Sequence, residues 1–372
     1  MIELLPTMAT FAPGEEVEVE VRGGASTVTL TYLGDPLAHA VVAGDGVARF
    51  GPLAEGGYGV EADGAHSALD ILADPLTRPR YGFVSHYEPA RDATGVVENA
   101  RRLHLNVVQF YDWMYRHARL LPPSDTFTDA LGQQLSLASV RRLATALSDA
   151  GSLPLGYAAV YAAGADEWPD WRDQGLYRAD GEPWMLADFL WILDPSSTRW
   201  IAHFGDELRA ARKLGFAGFH LDQYGAPKEA VRLDGRVVDL ADAFRVLVDR
   251  LAEALPGARL VFNNVNDFPV WRTARADVAF VYIEVWPPHE RLGQLGTLVT
   301  KAQALAPGKA VVLAAYLKPY ATSDEDGRAA ERLRPARQGT ASLARRHRRA
   351  REAAQGARRR RDGRDLRPQG LG

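Results

Sequence analysis

The sequence predicts an α/β fold: a TIM-type (β/α)8 barrel whose last strand is missing, preceded by a small β-sandwich. Three observations carry this prediction. Seven short apolar runs recur between residues 81 and 317, and amphipathic stretches of helical period lie between them. Near-continuous apolar strands joined by helices form a parallel sheet covered on both faces. Seven such units over about 240 residues suit a barrel, and neither G-x-G-x-x-G nor G-x-x-x-x-G-K is present to favour an open nucleotide-binding sheet. Residues 1–75, in contrast, alternate at period two between Gly, Pro and Asp turns, the pattern of a sandwich.

The sandwich strands fall at 16–22 (EVEVEVR), 26–33 (STVTLTYL), 39–42, 47–50, 58–62 and 68–72. Asp74-Pro75 and Arg78-Pro79 then punctuate the chain as a linker, which assigns 1–76 to the sandwich and 77–327 to the barrel. The barrel strands fall at 81–84, 106–111, 153–160, 218–222, 260–264, 278–284 and 310–317. The longest helices fall at 137–150, 197–214, 238–255 and 288–305.

Beyond residue 327 there is no aromatic residue, no Ile and no Val, so no eighth strand is expected there. Residues 328–372 hold 15 Arg, no Lys and four acids, a net charge of +11 against −14 for the preceding 327 residues. Arg clusters neutralise phosphates, but nucleic-acid tails usually mix in Lys, and the acidic body would repel such a partner. The segment reads as a disordered surface tail or, from its Arg/Ala/Gly-rich, Lys-free composition, as an out-of-frame translation of GC-rich DNA. Sequencing the gene past codon 327 checks this; an intact native frame there contradicts it.

With 47% hydrophobic and 24% charged residues, the chain is globular. It has no cysteine, hence no disulfide, thiolate or Cys-based zinc chemistry. Its longest apolar runs fall short of the ~20 residues of a membrane span, and the N-terminus lacks the basic and apolar regions of a signal peptide. Neither a membrane nor a nucleic acid is expected as a partner. No cofactor is expected, and no metal: none of the nine His forms H-x-H or H-E-x-x-H. His104, His203 and His347 fall in helical stretches and read as surface residues.

Barrel chemistry sits at the C-terminal strand ends. Three of them deliver a carboxylate beside aromatics: Asp112 in VVQFYDWMYRH, Asp222 in GFHLDQYG and Glu284 in VYIEVW. Glycosidic cleavage needs one carboxylate as nucleophile or base and a second as proton donor. Apolar walls raise a carboxyl pKa by desolvation. Glu284, between Tyr282 and Trp286, suits the acid, whereas Asp222, beside polar His220 and Gln223, is placed to stay ionised and attack. Asp112 has a competing reading as a partner of Arg116. Asn263, Asn264 and Asn266 follow a strand and can hydrogen-bond sugar hydroxyls, or serve as ordinary loop residues. Tyr111, Trp113, Tyr224, Trp286 and Tyr316 are candidate platforms for sugar rings, and His220 and Gln223 candidate contacts. Five of the eight tryptophans lie in 168–200, a stretch read as a long excursion framing a sugar groove, with core or interface as the alternative.

The motifs RYGFVSHYEP, NVVQFYDWMYRH, PLGYAAVYAAG, GFHLDQYG, VFNNVND and YIEVWP, in this order, resemble glycoside hydrolase family 66 from about residue 81 to 320. That family contains endo-dextranases and cycloisomaltooligosaccharide glucanotransferases. The resemblance implies an N-terminal immunoglobulin-like domain, a (β/α)8 barrel and a retaining mechanism on α-1,6-linked glucan. It places the nucleophile on Asp222, the acid/base on Glu284 and a third required acid on Asp112. Family members continue through an eighth strand and a C-terminal β-domain that this sequence does not match. Many are secreted, whereas this chain as it stands reads as cytoplasmic. Transglycosylating members carry an inserted sugar-binding module after the seventh strand. Here residues 317–320 (LKPY) run straight into 323–327 (SDEDG), which favours a dextranase-like hydrolase. The alternatives are the glucanotransferase and a non-catalytic glucan-binding barrel. Nothing in the sequence speaks to oligomeric state.

Overall fold

The computed structural model describes residues 1–289 and 291–316, and the backbone of 339–340. The seven apolar runs form parallel strands β1 (Tyr81–Val84), β2 (Val107–Phe110), β3 (Leu153–Ala159), β4 (Gly218–Asp222), β5 (Arg259–Val265), β6 (Val281–Val285) and β7 (Val311–Ala315), hydrogen-bonded in chain order. The connections carry helices α1 (Thr94–Arg102), α2 (Leu137–Asp149), α3 (Thr198–Ala211), α4 (Leu240–Ala254) and α5 (Leu292–Leu305). Three of these start on side-chain caps: Ser136 accepts from the Ser139 amide, Ser197 from Trp200, and Asp239 from Ala241 and Asp242.

Buried Phe204, Leu208, Phe219, Phe244, Leu247 and Phe262 belong to the main core. Tyr81, Val107, Leu155, Val261, Phe280, Tyr282 and Val312 form a second cluster, in which six of the seven barrel strands are represented. Gly339–Thr340 runs parallel to β7, opposite Val311 and Val312. The sequence reading placed no strand past residue 327, because nothing there is apolar enough to pack. Two residues of ladder need only backbone donors and acceptors. The rest of 328–372, with the reading of it as a tail, lies outside the described residues.

The N-terminal region builds two antiparallel sheets, one of Glu3–Pro6, Val17–Arg22 and Val47–Phe50, the other of Asp35–Val41, Thr27–Tyr32, Gly56–Ala62 and Ala65–Ile71. They enclose Val17, Val19, Val28, Leu30, Phe50, Val60 and Ile71. The strand Glu3–Pro6 was not foreseen, being too short to show an alternation. The linker forms a single 3₁₀ turn, Pro75–Thr77, capped by Asp74. Polar contacts join this region to the barrel. Arg101 donates to the Pro6 carbonyl and to Glu20, both at 2.8 Å, Arg22 pairs with Glu98 at 2.9 Å, and the Ala9 amide meets the Ala150 carbonyl at 2.8 Å.

Candidate active site

Asp222 is the last residue of β4 and Glu284 lies one residue from the end of β6, so the parallel barrel brings both to its C-terminal mouth. Asn263 on β5 stands between them. Its Nδ2 donates to Asp222 Oδ1 at 2.6 Å and to Glu284 Oε2 at 2.9 Å. Two oxygens held by one nitrogen at those lengths are at most about 5.5 Å apart, no wider than the spacing a retaining pair needs. The Tyr157 hydroxyl donates to Asp222 Oδ2 at 2.9 Å.

Burial, and then the neighbouring Glu284 carboxylate, push the Asp222 carboxyl up to about 7, against the hydrogen bonds from Asn263, Tyr157 and the Gln223 amide. His220 is 2% exposed and its Nδ1 lies 2.7 Å from the Tyr81 hydroxyl; burial lowers it to about 3, so it is neutral. The Gln223 side chain points away from the cleft. Its Nε2 donates to the Asn263 and Phe268 carbonyls, and its Oε1 accepts from the Gly225 amide.

The remaining candidates divide. Trp286 is 36% exposed and stacks on Tyr316 at 4.4 Å between ring centres, an aromatic pair next to Glu284 in the chain. Tyr224 stacks on Tyr161 at 5.4 Å, and Tyr111 meets Tyr157 edge-on at 4.9 Å; both are half-buried. Asp112 is half-buried beyond β2 with φ +50°, a conformation that Asp tolerates better than most residues, and its charge helps to raise the Tyr157 hydroxyl. Arg116, the partner considered for it, is held by Asp166 at 2.6 Å. Trp113 is no platform: it is wholly buried and its indole N–H donates to the Tyr157 carbonyl at 2.9 Å. Nor does Asn264 face a sugar. Buried at 2% exposure, it donates to the Tyr282 carbonyl at 2.9 Å and accepts from Thr273 Oγ1 at 2.6 Å.

Within the tryptophan-rich stretch, Trp200 is fully buried and Trp171 nearly so, which favours core over groove for both; Trp168 and Trp191 stack at 5.7 Å. His203 is in α3 but half-buried against Trp171, with its Nε2 on the Ala118 carbonyl, and half-buried His104 sits in the turn after α1; neither is a surface residue. His347 lies outside the described residues. Among the described residues, no three His, Asp or Glu side chains group as metal ligands.

Two functional side chains escaped the sequence reading. Tyr157 carried a signal, since alternation along β3 sets it on the inward face with Leu155. Glu167 carried none. It is a buried carboxylate that accepts from the Ala118, Arg119 and Gly164 amides and so ties the loop after β2 to the excursion after β3.

A family model described as Glycosyl hydrolase family 66 matches residues 55–327. Two cycloisomaltooligosaccharide glucanotransferases from Niallia circulans are each 27% identical in alignments of 283 and 298 residues that cover 68% and 70% of this chain. The chain spans only 29% and 31% of their lengths. A crystal structure of a Paenibacillus sp. cycloisomaltooligosaccharide glucanotransferase complexed with cycloisomaltoheptaose shares the fold, with a TM-score of 0.75 at 23% identity. The match covers 84% of this chain and 52% of that one.

Proposed function

This chain belongs to glycosyl hydrolase family 66, and on that premise we propose that it cleaves α-1,6-glucosidic linkages inside dextran-like glucans with retention of configuration. The observation that carries the reading is the carboxylate pair held by Asn263. In this reading Asp222 attacks the anomeric carbon while Glu284 gives its proton to the leaving oxygen. The glycosidic C–O bond breaks as the C–O bond to Asp222 forms. Glu284, now a carboxylate, takes a proton from water, and that water releases the sugar and restores the free acid pair.

The distribution of donors supports this division of labour. Three hydrogen bonds converge on Asp222, from Asn263, Tyr157 and the Gln223 amide. Donors favour a carboxylate over a neutral acid, which supports Asp222 as the group that attacks. Trp286, Tyr316, Tyr224 and Tyr111 would meet the apolar faces of glucose rings, and Asp112 would be the third acid at the mouth.

Reducing-sugar release from dextran, measured beside starch and cellulose, tests the reading. The expected result is release from dextran alone, abolished in Asp222→Asn; equal release from starch would contradict the linkage. The names of the relatives favour a second reading, a glucanotransferase using the same covalent intermediate. Cyclic oligosaccharides among the products would establish it.

A further inference from the structure

Trp271 and Trp286 are the most exposed tryptophans among the described residues, at 48% and 36%. Trp286 belongs to the aromatic pair beside Glu284, but nothing in the cleft accounts for Trp271. It lies in the short helix Val270–Thr273 and lines a hollow of about 360 Å³ together with Lys228, Glu229, Asp239, Phe268 and Arg272. We propose that this hollow is a second binding site for the glucan chain, distinct from the carboxylate pair. It would hold a glucose ring against Trp271, with its hydroxyls on the polar side chains of the rim. The inference deepens the glucan-cleaving reading and rests on it for the choice of polymer.

The composition of the hollow fits a neutral polyol. Two cations face two carboxylates, so the lining favours neither an anion nor a metal ion. The apolar part consists of ring surfaces, suited to the C–H face of a sugar. Glu229 and Asp239 are directly opposed across a two-stranded ladder. Asp239 already caps α4, accepting from the Ala241 and Asp242 amides, so the exposed Glu229 is the carboxylate that would accept from sugar hydroxyls. Lys228 stands 5.2 Å over the Phe268 ring and Lys301 5.7 Å over the Trp271 ring, where Lys301 also pairs with Asp267 at 2.8 Å.

The residues next to the cleft brace this platform. Gln223, which follows Asp222, donates to the Phe268 carbonyl at 3.0 Å. Asn264, which follows Asn263, anchors the Trp271 helix through Thr273. A platform fixed before the ligand arrives loses little conformational entropy on binding. The hollow is therefore built on the segments that follow β4 and β5, the strands that carry Asp222 and Asn263, and a polymer gripped there would be presented to the cleft at high effective concentration.

Dextran affinity electrophoresis, with kinetics on dextran and on isomaltotriose, tests the proposal. Trp271→Ala should weaken retardation by dextran and raise its KM about five- to tenfold, while kcat and KM for isomaltotriose stay unchanged. Glu229→Gln, at an exposed strand position, should weaken retardation in the same direction, so the test stands even if Trp271→Ala folds poorly. Unchanged retardation in both variants, or an equal loss on the trisaccharide, would overturn the site. If the parent chain cleaves dextran while retardation ignores Trp271, the site fails and the cleft reading stands. If it cleaves no glucan but retardation depends on Trp271, the cleft reading fails and the site stands.

Discussion

The Asn263 amide nitrogen donates to both carboxylates at once, and this shared donor keeps two like charges from separating. Removing a positioned general acid costs about 10²–10⁴ in rate. Glu284→Gln should lose that much on dextran, yet far less on an isomaltosyl fluoride, whose leaving group needs no proton. The Glu284 charge is one cause of the raised Asp222 pKa, so its removal lowers that pKa. Because Asp222 must be ionised to attack, the acid limb of the fluoride reaction should move to lower pH in Glu284→Gln. Tyr157→Phe should move it the other way, since a donor to the carboxylate is lost. It should also lower kcat/KM about tenfold or more, the worth of a hydrogen bond to a charged group. An acid limb that stays put in both variants would contradict the coupling. Asp222 and Glu284 were legible in the sequence because each ends an apolar run beside aromatics. His220 was misplaced because period-two alternation assigns a side chain to a face of the sheet but not to a depth or a partner, and Trp113 and Asn264 because position next to a strand end says nothing of depth either. His220 is inward but buried against Tyr81, whereas Asn264 is directed to backbone and to Thr273.

Among the elements, the loop that carries Asp112 is held by a buried polar side chain. Glu167 satisfies three backbone amides, two in that loop and one in the excursion after β3. Replacing it with Ala leaves those donors unpaired in a buried place, at about 1–3 kcal/mol each. Glu167→Ala should therefore lower stability by about 3 kcal/mol or more in urea titration and reduce activity through Asp112, whose loop it holds; stability within about 0.5 kcal/mol of the parent would contradict this. No sequence pattern announces such a residue, because its partners are backbone groups, two of them nearly fifty positions away. The strands and longer helices were legible to within a few residues, since Val, Leu and Phe repeat with the period of each element. Helix α3 shows the local logic: Ser197 caps its start, and Gly215, at φ +101°, stops the chain after Leu214.

At the scale of the whole molecule, the β-sheet region is fastened to the barrel through Arg101, Arg22 and backbone contacts at Ala150. Arg101→Ala should cost about 1–3 kcal/mol, because the buried Pro6 carbonyl and the half-buried Glu20 carboxylate lose their donor. Calorimetry should then show the unfolding transition broadened or split; an unchanged single transition would argue against a stabilising interface. The order of seven parallel strands followed from their number and spacing. The short pairing of Gly339–Thr340 with β7 did not, because backbone ladder leaves no trace in side-chain chemistry. The central claim is that Asp222 and Glu284 cleave α-1,6-linked glucan with retention. Proton NMR of the first anomer released from dextran, read before mutarotation, tests it most directly. The account predicts that the α-anomer appears first; β-anomer appearing first would contradict it.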